Sequence, residues 1–544
     1  MIKTIQKTPE ELMIDLLKFK SDTNSVNEKE VEEYIYQWFA SLDYFKFNPD
    51  HLGMYSLEND YFDRKVVWSW VAGSGSDTVV LLNHHDVVDS LDYGNLQNYA
   101  YSPKELKKQL SNLNLSNEVR DDLLDDDWIF GRGTSDMKAG VAIQMKTIEA
   151  YSCLKSFNGN ILFVSVPDEE NLSLGIRSAV KFLVDLKDKY SLNYRLVIDS
   201  EPHERNHSNE YVFNDKSIGK TMVNVFIKGV KSHIGCIFSG LNPSYILSKI
   251  VEKTEMNTCL SDKIDGVLLP PPSWSCVRDL KERYDGSIPE YAGGYISFLT
   301  QNRSPGEIVE DIKRICLEAC DEVHLQIDKE YKKYLNNKNI DYEIKPSVIT
   351  YEELIQKANK YNSELTENVL DNEVNNIKKL ISLDEITLAE ANFPIIKALL
   401  NIFPKKDPVV VISFSPPYYP QISNSYFSDL SDDIKAMGNK IQTYIENHLG
   451  MKSVKQQMNC ISDLSYFAFQ VDEKAIDSLE KNMPLWPDFY NIPFENMKEL
   501  SLPILNIGPW GKGVHTIVER VCKRDLNENT GKIIRFVIDD LFNN

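Results

Sequence analysis

From residue 66 onward, short apolar runs alternate with segments whose apolar positions recur every three or four residues. VVWSWVA (66–72), TVVLLNHHDVV (78–88), NILFVSVPDEE (160–170) and RLVIDSEP (195–202) predict strands. Their near-continuous Val, Ile and Leu content suits strands covered on both faces. AGVAIQMKTIEAYSCL (139–154) and IRSAVKFLVDLKDK (176–189) have helical periodicity. Strand, helix, strand in this rhythm predicts an α/β fold: a mostly parallel sheet with helices on both faces.

The texture changes between 219 and 352, where KTMVNVFIKGV, PSYILSKIVEKTE, GGYISFLT, a long helical pattern from Ser304 and YEIKPSVIT follow one another. This β-α-β order, repeated, predicts a small inserted α+β domain. The expected division is therefore a catalytic domain over 1–218, an inserted lid or dimerisation domain over 219–352, and the rest of the catalytic domain over 353–544. ANFPIIKALLNIF, PVVVISFSPP, DDIKAMGNKIQTYIENHLG and GKIIRFVIDDLFNN are expected to resume the first rhythm. The acidic stretch 106–127 reads as a solvated helical excursion, and Cys316 and Cys320, four apart on a helix, read as core.

Composition narrows the partners. With 42% hydrophobic and 26% charged residues the chain is an ordinary globular one, and its net charge of −21 argues against nucleic acid. The first apolar stretch carries acids and lacks a small-residue cleavage site, so no signal peptide is expected. No apolar run reaches ~18 residues, so no membrane span is expected. Eight cysteines without a CxxC pair fit reduced thiols, hence a cytoplasmic location.

Chemistry concentrates at element ends. In a strand, His84 and Asp86 share a face, so the histidine can meet a metal while the carboxylate receives its other ring N–H. Asp136 lies in the glycine-rich turn GRGTSDMKAG before a helix, and Glu169 and Glu170 end a strand in PDEEN. Asp199 and Glu201 end another strand, and His515 follows a glycine loop, four residues before Glu519, at the start of an apolar helical pattern. One such acid or histidine alone is more often a cap or a satisfied strand end. Together they form an oxygen and nitrogen set suited to Zn²⁺, Co²⁺ or Mn²⁺.

HHDVVD, GRGTSDMKAG, PDEEN, SEP and GPWGKGVH, in that order, resemble the five metal-site segments of the two-zinc aminoacylase and carboxypeptidase G superfamily, which includes acetylornithine deacetylase and succinyl-diaminopimelate desuccinylase. LLPPPSWSCVRDLKERYD and SFSPPYYP look most like its longer arginine-utilisation branch. The resemblance implies two divalent ions, zinc with cobalt or manganese as alternatives, bridged by Asp136, with His84 and Glu201 completing one and Glu170 and His515 the other. It implies that Asp86 orients His84, that Glu169 is the general base, and that the Asp136–Met137 peptide is cis. It further implies that His233, in a G-x-x-x-H lid segment, stabilises an oxyanion, often from the partner subunit of a homodimer. Arg303 would grip a substrate carboxylate, and Asp463, in ISDLSYF, would line the pocket or cap a helix. Asn83 and Asp89 replace the usual glycine and proline beside the metal histidine. The activity implied is hydrolysis of an amide C–N bond in a small carboxylate-bearing substrate such as an N-acyl amino acid or short peptide. The alternatives are hydrolysis of a ureido or amidino C–N bond in an arginine-related compound, or a non-catalytic metal-binding relative.

Overall fold

In the first of the two compact units, Met1–Ser217, Ile422–Phe469 and Pro493–Asn544, a six-stranded sheet runs in the order Leu52–Ser56, Lys65–Ala72, Asn158–Val166, Ser74–His84, Asn193–Asp199, Ile504–Asn506. The structure is a computed structural model describing residues 7–264, 266–336, 340–383, 385–404, 407–455, 461–470 and 472–543. Asn158–Val166, Ser74–His84, Asn193–Asp199 and Ile504–Asn506 pair in parallel, as the mostly parallel α/β reading expects, while Leu52–Ser56 and Lys65–Ala72 add antiparallel strands at one edge and make the sheet mixed. The antiparallel edge arises at Gly73, where the chain steps across the start of Asn158–Val166 without a crossover helix. A Cβ at Gly73 would lie 2.4 Å from the Gly159 carbonyl oxygen, so only glycine fits.

Alternate residues of the central strands face opposite layers. Val79, Leu81, Ile161, Phe163, Leu196 and Ile198 join a core with the helices Pro9–Leu16, Glu28–Ala40, Ala139–Ser152, Asp432–Tyr444 and Thr530–Asn543. Val80, Leu82, Leu162 and Val164 are buried on the other face, where Leu174–Tyr190 packs. Burial on both faces explains the unbroken apolar runs. The parallel strands end at His84, Val166 and Asp199, directing the residues that follow to one sheet edge.

The second unit, Ile218–Gln421 and Gln470–Ile492, carries a five-stranded sheet in the order Ser273–Asp279, Tyr291–Thr300, Gly219–Lys228, Val409–Tyr419, Ser347–Thr350. It therefore runs well past the expected boundary at 352. Val409–Tyr419 pairs antiparallel with Gly219–Lys228, and Phe393, Ile396 and Leu399 of the helix Asn392–Asn401 pack in its core against Phe226 and Tyr291. A strand buried on both faces reads the same in either unit, so the apolar run 408–412 held no cue to its sheet. Cys316 and Cys320 are buried in the helix Pro305–Tyr334. Among the described residues, no helix is long and apolar enough to cross a membrane.

The 106–127 stretch also departs from expectation. Pro103–Leu110 and Asn117–Leu124 are helices, but Leu106, Leu110, Val119 and Leu123 are buried with Trp128, Phe130 and Trp510 in a satellite cluster. Asp122 ion-pairs with Arg520 at 2.6 Å and Lys512 at 2.9 Å, so part of its acidic face is engaged. Leu106→Ala should cost about 2–5 kcal/mol in chemical denaturation. Leu124→Ala, at a residue 86% exposed, should change stability by less than about 0.5 kcal/mol.

Candidate metal centre

Three strand ends and two loops of the first unit deliver the acidic and imidazole side chains to one place. His84 closes its strand with the ring buried; Nδ1 lies 3.0 Å from the Asp86 carbonyl oxygen and 3.4 Å from its carboxylate. Nδ1–H donating there leaves the Nε2 lone pair facing Asp136 Oδ1 at 3.0 Å and Glu201 Oε1 at 3.2 Å. The second Asp136 oxygen, Oδ2, lies 3.2 Å from His515 Nε2, which also lies 3.0 Å from Glu170. Asp136 thus stands between two histidines, one per carboxylate oxygen. His84, Glu169 and Glu201, and separately His84, Asp136 and Glu170, each place one ligand atom apiece within 4.8 Å of one another.

The backbone explains how acids are held so close. Gly133 has φ +73° and the Asp136–Met137 peptide is cis, within the turn leading into Ala139–Ser152. Glu519, fully buried, accepts the amides of Ser135 at 3.1 Å and Asp136 at 3.3 Å through Oε1, and Arg132 at 2.9 Å through Oε2. The expected apolar helix after His515 is absent: Thr516–Val518 turn and Arg520–Cys522 is a strand. Glu519 therefore faces the Asp136 turn instead of stacking on His515, which has φ +62°. The Asp86 carboxylate accepts the amides of Glu169 and Glu170, both at 3.1 Å, so it fixes the glutamate pair as well as His84. Asn83 and Gln144 bind each other at 2.8 Å, and Gln144 also bonds Leu82 O and Ser200 Oγ, tying two of the strand ends together.

Burial pushes Glu169 and Glu201 well above the usual carboxylate range, with Asp463 and Asp136 respectively adding to it, and Glu170 rises for similar reasons. Burial opposes charge on His84, but Glu201, Asp136 and Asp86 outweigh it and raise its pKa well above the usual histidine value. Hydrogen bonds to Asp136 and Glu170 push His515 up to about 11. Burial opposes ionisation of Asp136 too, but the two histidines hold it below its ordinary value. A buried set of carboxylates that retains protons, and imidazoles that gain them, is short of positive charge. Its O and N donors match a divalent metal, and no thiolate is among them.

Asp463 is buried beside this group. Burial raises its carboxyl well above the ordinary range while the Ser173 hydroxyl pulls the other way, and Ser462, not Asp463, caps the short helical turn Asp463–Tyr466. His233 and Arg303 belong to the second unit. His233 is exposed and its Nδ1 accepts the Gly235 amide at 3.0 Å, which leaves Nε2–H as a donor. Arg303 donates to Leu260 O at 2.7 Å and Asp311 at 2.6 Å, so its guanidinium braces the start of Pro305–Tyr334 rather than standing free for a carboxylate. Sequence reasoning gave no role to Arg64, Glu28 or Arg132. Arg64, before a strand, and Glu28, at a helix start, carry no motif, and Arg132, although inside GRGTSDMKAG, shows its Glu519 partner only in tertiary contact.

A model of peptidase family M20/M25/M40 matches residues 112–376, which include Asp136, Glu169, Glu170 and Glu201. The protein YqjN of Bacillus subtilis (strain 168), itself uncharacterised, is 31% identical over 526 residues, covering 94% of this chain and 92% of its own. The chain belongs to the peptidase M20 family. It is a metal-dependent hydrolase. Protein RocB of the same organism is 26% identical over 94% of this chain and 91% of its own. The fold is shared with aminopeptidase PepT from Bacillus cereus ATCC 10987 (12% identity, TM-score 0.52, 98% of each chain). It is shared also with human carnosine dipeptidase 1 (11% identity, TM-score 0.53, 98% of this chain and 95% of the other).

The raised groups set a pH dependence. Carboxyls whose folded pKa is raised, and histidines likewise, bind more protons folded than unfolded, so their contribution is present at low pH and lost as pH rises. For Glu169 and Glu201 the loss begins above the ordinary value of 4.5, and for His515 it spans 6.5 to about 11. Asp136, lowered, acts only on the acid side of its ordinary value of 3.8. Metal-stripped protein should therefore melt at a higher temperature at pH 6 than at pH 8.5. Metal-loaded protein should lose that trend, because metal binding needs the deprotonated ligands. Scanning calorimetry of both forms across this range checks it.

Proposed function

We propose that the chain is a two-metal amidohydrolase that cleaves an amide C–N bond in a small carboxylate-bearing substrate, an N-acyl amino acid or short peptide, in amino-acid and arginine utilisation. The observation that carries the reading is the division of Asp136, one oxygen toward His84 and Glu201 and the other toward His515 and Glu170. In this reading His84, Asp136 and Glu201 hold one divalent ion, and Asp136, Glu170 and His515 hold the other, zinc being the expected metal and cobalt or manganese alternatives. Such a pair, when bound, acidifies water and polarises a carbonyl. Glu169, within reach of His84 and Glu201 yet not needed to complete either set, takes the proton from the attacking water and delivers it to the leaving nitrogen. Burial beside like charges gives its carboxylate the proton affinity that this task requires. Asp86 keeps His84 in the Nδ1–H tautomer. His233 offers Nε2–H to the oxyanion of the tetrahedral intermediate, from its own chain or from the second chain of a homodimer. Arg303 could bind a substrate carboxylate only by leaving Asp311, so this reading leaves the carboxylate to other donors.

The names of the relatives support this placement: PepT is called an aminopeptidase and the human neighbour a carnosine dipeptidase, both cutting amide bonds. A ureido or amidino C–N bond remains the second reading, favoured by the likeness to the arginine-utilisation branch. Seven cysteines among the described residues are free thiols, which supports a cytoplasmic place for this chemistry.

The test is a panel of N-acyl amino acids, dipeptides and ureido acids assayed with elemental analysis of bound metal. Wild type should carry about two ions per chain and turn over at least one compound class. Ammonia and carbon dioxide among the products would favour the ureido reading over the amide one. Asp136→Ala should lose metal and activity together. Glu169→Gln should keep the metal while kcat falls by roughly 100-fold or more, the size of a lost proton-transfer group. A fully metallated wild type that hydrolyses nothing would overturn the reading.

A further inference from the structure

Arg64 lies outside every motif of the site, at the start of the strand Lys65–Ala72, yet its side chain is almost wholly buried, 3% exposed. Its guanidinium is shared among three carboxylates that are themselves buried: Nη2 and Nε bond Asp60 at 2.7 and 3.1 Å, and Nη1 bonds Glu28 at 2.8 Å and Asp168 at 2.9 Å. Asp168 directly precedes Glu169. It has φ +68°, a conformation a non-glycine residue keeps only when its surroundings hold it there.

Those surroundings are specific. The Asp168 amide donates to Glu28 Oε2 at 2.9 Å, and its carbonyl accepts the Ser173 amide at 2.7 Å. Its carboxylate accepts Asn171 Nδ2 at 3.2 Å and the Leu174 amide at 3.1 Å in addition to Arg64. Asp168 is thus the hub of the 168–174 loop, and Arg64 with Glu28 grips that hub by both its side chain and its backbone. On the other side the loop is held by Asp86, through the Glu169 and Glu170 amides. The two glutamates hang between these anchors.

We propose that Arg64 is a positioning residue: by clamping Asp168 it sets where Glu169 and Glu170 point, and so sets metal affinity and turnover without touching substrate. This rests on the reading that Glu170 is a ligand and Glu169 the base. Arginine is suited to the task because one planar fork meets several carboxylates at fixed angles, whereas lysine offers a single point charge.

The test uses full-length Arg64→Lys, which keeps the buried charge but loses the fork. Arg64→Gln/Glu28→Gln serves as a second variant, removing the cation together with one of its acids, in case the lysine variant does not fold. Metal-stripped protein is titrated with Co²⁺ by visible absorbance, and loaded protein is assayed on whichever panel compound wild type turns over. The expected result is a folded variant with at least one Co²⁺ bound about tenfold or more weakly, and kcat lowered by a similar factor at a KM within about twofold of wild type. Arg195→Lys, which disturbs an ion pair with Asp77 and Asp433 in the same unit, should change neither. A lowered melting temperature with Co²⁺ affinity and kcat unchanged would show that Arg64 is structural only, and would overturn the proposal. If wild type turns over nothing, the proposed reaction fails, while the Co²⁺ titration still decides the clamp.

Discussion

Carboxylates crowded at one sheet edge repel one another and resist burial, and the organisation of the first unit is largely an answer to that. Asp86, Asp136, Glu169, Glu170, Asp199, Glu201 and Asp463 lie in one neighbourhood, and burial raises most of them. Two histidines supply partial compensation, each drawn to the charged state by the acids around it. The histidines are also the groups whose neutral Nε2 a metal requires. The same crowding therefore favours protons when cations are scarce and divalent ions when they are present, and the competition between them links pH to metal affinity.

Holding the acids in register takes donors that do not titrate in the working range. Backbone amides do most of this: two go to Asp86, and two go to Glu519. Arginines anchor the receiving carboxylates from behind, Arg132 on Glu519 and Arg64 on Asp168. An amide cannot swing away as a long side chain can, so Glu519 and Asp168 are each located by main chain on one side and by a planar guanidinium on the other. Removing either member of such a buried pair leaves an uncompensated charge, which costs far more than the pair itself contributes.

What was legible in the sequence follows from this architecture. Residues at strand ends could be read, because a parallel sheet sends its carboxyl ends to one edge; His84, Asp86, Glu169, Glu170 and Glu201 come together by that rule alone. Asp136 could be read from the glycines that shape its turn. The supports could not, because Arg64 and Glu28 stand 36 residues apart, and Glu28 stands 140 from the amide it accepts. The unit boundary was misplaced for a related reason. The strand Val409–Tyr419 is buried throughout, and nothing local distinguishes pairing with Gly219–Lys228 from joining the other sheet. The satellite cluster under 106–127 was masked by its own charge: six acids crowd the second half of the stretch, while four leucine and valine positions do the packing.

Adjacent glutamates with different neighbours show how one motif divides labour. Both amides of the pair point at the same Asp86 carboxylate, so the backbone cannot swap the two residues without losing a hydrogen bond. Glu170 is thereby turned to His515 at 3.0 Å, while Glu169 groups with His84 and Glu201. Glu170 has a histidine to share its charge, whereas Glu169 is flanked by more acids, and its proton affinity is raised further above the ordinary range. A difference of one position in the chain thus separates a side chain suited to bind a cation from one suited to carry a proton, and the separation is made by a carboxylate just past the end of a different strand.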